Sequence, residues 1–140
     1  MTFARMILVL AAFLATGSLV GQARGTEAQG GEAKVTELLS KDLTDLPGNK
    51  EGLMITVEYP PGSSDPIHRH NAHGFIYVLE GSIVMQVRGG KEVTLEPGQS
   101  FYEDPKDIHV VSRNASRTES ARFLVFLIHK KGTPLVMPAT

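Results

Sequence analysis

The chain has 140 residues, with 14 Lys and Arg against 15 Asp and Glu, a formal net charge of −1, and neither cysteine nor tryptophan. Without cysteine there is no thiolate nucleophile, no thiolate metal site and no disulfide to staple the fold. No basic stripe stands out, so nucleic acid is not an expected partner.

Residues 1–23 read as a secretory leader. Arg5 supplies a positive start, Met6 to Val20 carries no charge, and Gly21 and Ala23 are small residues two apart. The uncharged run is 15 residues, shorter than the ~20 of a spanning helix. The expected location is therefore periplasmic or secreted, with no stable membrane insertion after the leader is removed. Residues 24–46 form a lead-in. Its first part is small and polar. Ala33 to Leu46 then carries Val35, Leu38, Leu39, Leu43 and Leu46, which fits either a short helix or a first strand. Pro47-Gly48-Asn49 is a turn signal.

Residues 47–131 change to a period of two. Leu53, Ile55, Val57 and Tyr59 alternate with polar or less apolar neighbours, the pattern of a half-buried strand. Phe75 to Glu80 and Ser82 to Val87 are further runs. Gly89-Gly90 predicts a two-residue hairpin. Glu96-Pro97-Gly98 turns again, and short runs follow at Ser100 to Tyr102 and Ile108 to Ser112. Arg122 to His129 is the longest apolar run, fit for a central strand or an interface edge. Residues 132–140 are a proline-containing tail. Short strands and frequent turns predict an all-β barrel or double-sheet roll, able to enclose one small ligand.

The five histidines are His68, His70, His73, His109 and His129. His68 and His70 are two apart, which on a strand puts both rings on one face. Two neutral imidazoles are costly to bury dry, and a shared metal satisfies them. Imidazole suits zinc, iron, nickel and copper. A solvent-exposed polar loop is the alternative. His129 ends the last strand and reads as structural or exposed. Tyr77 and Tyr102 read as cavity-lining or packed barrel residues.

Gly62, then five residues, then His68-Arg69-His70, then Phe75 to Gly81 resembles the first motif of the cupin superfamily. Glu96-Pro97-Gly98, Pro105 to His109 and Asn114 resemble the second. The resemblance covers roughly residues 52–130 and implies a single cupin-type antiparallel β-barrel, a jelly roll, with a divalent metal ion (iron, zinc, nickel or manganese) inside. It carries His68, His70 and His109 over as metal ligands, and it implies a homodimer. The family's usual carboxylate position is here Gly74. The nearest substitute is His73, a fourth ligand if the turn at Asn71-Ala72 shifts the register; plain alternation points it to the other face. Glu80, Glu103 and Asp104 read as solvated.

A site of neutral histidines leaves the full charge of the metal to polarise a bound substrate. The resemblance therefore implies a small-molecule metalloenzyme such as a dioxygenase on an all-histidine centre. Two other readings stay open: a non-catalytic binder of a small ligand such as a sugar or organic acid, and a non-redox metal-dependent isomerase or lyase.

Overall fold

The computed structural model describes residues 30–140. The secretory leader expected over residues 1–23 lies outside them. Among the described residues there is no helix, and ten strands are arranged in two five-stranded sheets. The strands are β1 (Lys34–Leu43), β2 (Lys50–Tyr59), β3 (His68–Arg69), β4 (Ala72–Glu80), β5 (Ile83–Val87), β6 (Val93–Leu95), β7 (Ser100–Glu103), β8 (Ile108–Asn114), β9 (Ala121–Lys130) and β10 (Met137–Pro138). One sheet runs β1-β2-β9-β4-β7 and the other β10-β3-β8-β5-β6, with antiparallel pairing throughout. This is the all-β jelly roll expected of the sequence.

The period-two pattern decides which side chains meet. Leu53, Ile55, Val57 and Tyr59 of β2 are all buried, as are Ile76 and Val78 of β4. β9 lies between these two strands. Its Phe123, Val125 and Leu127 complete the inner face, while Leu124, Phe126 and Ile128 are half-buried on the outer one. An apolar run buried on one face and partly covered on the other suits a central strand, not an edge. Ile83 and Met85 of β5 close the core from the second sheet.

One open alternative resolves and two local expectations need revision. Of the helix and the first strand that Ala33 to Leu46 allowed, the strand forms, as β1 paired with β2; Gly48 and Asn49, both with positive φ, turn the chain between them. The connection from β5 to β6 is longer than a Gly89-Gly90 hairpin. The amide of Gly90 donates to the carbonyl of Val87, Gly89 takes a positive φ, and ladder pairing resumes only at Met85 opposite Val93. The tail is part of the barrel, because β10 pairs with β3.

Candidate metal centre

The strand β3 is only two residues long, yet it sets the site. His68 pairs directly opposite His109 of β8, so two rings from distant parts of the chain share one inner face. His70 follows just beyond the end of β3. The ring centres of His68 and His70 are 4.9 Å apart, those of His68 and His109 5.0 Å, and those of His70 and His109 5.2 Å. The structure thus brings together the three histidines that the sequence singles out. His68 and His109 are buried, and His70 is half-buried.

The ring nitrogens of this cluster are not equivalent. His68 Nδ1–H donates to the carbonyl of Pro66 at 2.8 Å, and His70 Nδ1–H donates to the carbonyl of Leu135 at 2.7 Å. A carbonyl only accepts, so each of these rings carries its proton on Nδ1 and keeps a lone pair on Nε2. His109 differs. Both of its ring nitrogens are buried without a hydrogen-bond partner.

A carboxylate completes the group, from a position the sequence reading placed in solvent. Glu103, at the end of β7, is 3 % exposed. Its Oε1 lies 3.3 Å from His109 Nδ1, without hydrogen-bond geometry, and its Oε2 lies 3.9 Å from His70 Nε2. One ligand atom each from His70, Glu103 and His109 fall within 4.8 Å of one another. Strand β7 pairs with β4 so that Glu103 sits opposite Gly74. A Cβ at Gly74 would meet Glu103 Oε2 at 2.8 Å. The missing side chain at 74 is therefore the space that the Glu103 carboxylate occupies.

His73 does not join this group. Ala72, Gly74, Ile76 and Val78 of β4 point inward, and His73, Phe75 and Tyr77 point outward. No register shift at the Asn71-Ala72 turn reverses this alternation. His73 Nδ1 is instead 2.7 Å from the hydroxyl of Tyr102 on the outer face. Tyr77 and Tyr102 are about half exposed there, so neither lines the cavity nor packs inside the barrel. Glu80 is exposed, as expected, and pairs with Arg122 at 2.5 Å. His129 is inward-facing and buried at the far end of β9, with Nε2 3.6 Å from Glu51, its cross-strand partner.

Electrostatics follow from burial. Loss of solvent, then the neighbouring His70 and His68, hold His109 down to about 3. Loss of solvent likewise lowers His70, although its bond to Leu135 opposes this. Burial, followed by the charge of Asp107, pushes Glu103 up to about 8. Without a cation, burial thus favours neutral His70 and His109 and a protonated Glu103 carboxyl at neutral pH. A divalent cation supplies the charge that this donor set lacks, and the residues fit one.

The cluster opens on a cavity of about 440 Å³ between the two sheets. Its wall includes Ile55, Val57, Ile76, Met85, Phe123, Val125 and Leu127, together with Tyr59, Asp65 and Ser112. The Tyr59 hydroxyl is committed to the Asp65 carboxylate, which with burial raises it far above its ordinary range. The buried Ser112 hydroxyl has no partner.

A two-sheet antiparallel roll with inward histidines on its third and eighth strands defines an all-β jelly-roll class, here with a histidine–carboxylate group able to hold a metal ion. The family model described as "Cupin domain" matches residues 55–127, and the chain belongs to the cupin family. It is 32% identical over 99 residues to the "Oxalate-binding protein" of Thermotoga maritima, covering 70% of this chain and 77% of that one. A cupin-2 domain from Rhodospirillum rubrum shares the fold at a TM-score of 0.62 and 18% identity, covering 81% of this chain and 69% of that one. DMSP lyase DddQ from Ruegeria pomeroyi does so at 0.53 and 22%, covering 59% of this chain; the match spans only 41% of the lyase.

Proposed function

We propose that this chain is a metal-dependent cupin whose His68, His70, His109 and Glu103 hold one divalent cation and present it to a small organic acid in the cavity. The state of the ring nitrogens carries the reading. Two Nδ1 atoms are committed to backbone carbonyls, and buried His109 satisfies neither nitrogen within the protein. A buried polar atom left unpaired costs roughly 1–3 kcal/mol, and a shared cation removes that cost. Histidine with carboxylate suits iron, zinc, nickel or manganese. Such a cation, with coordination positions left over, acts as a Lewis acid on a carboxylate or enolate oxygen.

The organic acid is supported by the name of the Thermotoga maritima relative, which binds oxalate. The dioxygenase reading rested on a centre made of histidines alone. Glu103 brings a negative ligand beside them, which lowers the net charge of the centre and shifts the support toward binding or non-redox turnover.

Elemental analysis tests the reading. After incubation with each metal and desalting, the chain is expected to retain one divalent ion, and His109→Ala to retain none. No metal above background in the unmodified chain overturns the proposal. Oxygen consumption by an iron-loaded sample with organic acids separates the dioxygenase from the non-redox readings.

A further inference from the structure

The cavity distinguishes between organic acids. Its volume of about 440 Å³ lies within the ~300–1,000 Å³ of pockets that enclose whole drug-sized molecules. A two-carbon acid at the histidines leaves most of it empty. The wall away from the histidines is Ile55, Val57, Ile76, Phe123, Val125 and Leu127, supplied by β2, β4 and β9. Among the described residues, no lysine or arginine lines it.

Charge balance points the same way. A divalent ion on three neutral imidazoles and one ionised carboxylate leaves one positive charge. A single ligand carboxylate cancels it. A second carboxylate on the same ligand would lie in an apolar wall with no cation to meet it. The acidic groups that line the cavity besides Glu103 are Glu32 and Asp65, and a carboxylate at either repels an anion. The free polar group is the Ser112 hydroxyl, which is 4 % exposed, neutral and unpartnered. Ser112 lies three residues beyond His109 on β8, about 10 Å at ordinary strand rise.

We propose that the ligand of this cavity is a monocarboxylic acid with an apolar body, its carboxylate at the cation and its carbon chain along the wall made by β2 and β9. This rests on the cation-holding role proposed above. It sets the chain apart from a site built for a bare dicarboxylate such as oxalate.

Calorimetric titration of the full chain, loaded with zinc and checked for metal content, tests it with acetate, butyrate, hexanoate and adipate. Affinity is expected to rise about fourfold per added methylene from acetate to hexanoate. Adipate is expected to bind on the order of 100-fold more weakly than hexanoate. Val125→Phe, which fills the wall, is expected to lose hexanoate while keeping zinc and acetate; if it does not fold, the series on the unmodified chain decides. Equal affinity across the monocarboxylates, or adipate matching hexanoate, overturns the inference and leaves the metal site standing. Failure to load zinc, or any other divalent metal, overturns both.

Discussion

Glu103 and Gly74 face each other on neighbouring strands, and the carboxylate of one occupies the space left by the absent side chain of the other. The carboxylate expected from β4 is thus provided from β7. This relationship predicts a transplant. Glu103→Ala is expected to weaken zinc binding by about 10–100-fold. Gly74→Glu alone meets Glu103 and is expected to disturb the centre. The double change Gly74→Glu with Glu103→Gly is expected to recover most of the lost affinity. Competition titration against a chromogenic chelator reads all three, and unchanged binding by Glu103→Ala removes Glu103 from the centre.

The C-terminal segment is expected to matter for the metal although it contributes no ligand. The carbonyl of Leu135 fixes the proton and orientation of His70, and β10 pairs with β3 beside His68. Deleting residues 133–140 is expected to lower metal affinity by about 10–100-fold. The far-ultraviolet dichroism of the barrel should remain. Full affinity in the truncated chain would show that His70 needs no such support.

In chelator-treated protein, stability should depend on pH through the centre. Glu103 rises from 4.5 to about 8, so the native state keeps a proton that the unfolded chain has released, and stability falls as pH climbs through that window. His109 falls from 6.5 to about 3, so its contribution is gained as pH climbs from about 3 to 6.5. The two oppose each other between 4.5 and 6.5, and above 6.5 the Glu103 contribution acts without the other. Urea titrations are expected to show a loss of about 2 kcal/mol between pH 6.5 and 8. Glu103→Gln should flatten it. A slope that survives this change belongs to another group.

Asn114 ties the barrel together away from the metal. Its buried amide donates to the carbonyls of Tyr59, Pro60 and Glu119, and its oxygen accepts from the Ser116 amide. Asn114→Ala leaves these groups without their partner. It is expected to cost about 2–4 kcal/mol. Metal stoichiometry should be unchanged in the folded fraction. Thermal unfolding and elemental analysis check the two halves of this prediction.

Much of this arrangement was legible in the sequence because strand periodicity and turn chemistry are local. The alternation over Leu53 to Tyr59 and the His68-Arg69-His70 spacing each specify a face without knowledge of partners. Glu103 was missed because its burial depends on its cross-strand neighbour Gly74, far from it in the chain, not on its own sequence surroundings. A signal was present, however: Phe101 packs inward, so alternation through Tyr102 turns Glu103 inward too, opposite a glycine. The same alternation, applied to β4, correctly sends His73 outward. The tail was missed for a similar reason. Two residues of strand pairing at Met137 and Pro138 carry no periodic pattern to read.

X-ray absorption spectroscopy of the zinc-loaded chain tests the central claim most directly. The account predicts imidazole nitrogens from three histidines at about 2.0–2.1 Å with one protein carboxylate oxygen beside them, and one imidazole fewer in His109→Ala. A zinc environment of water and carboxylate oxygens, unchanged when His109 is replaced, would contradict it.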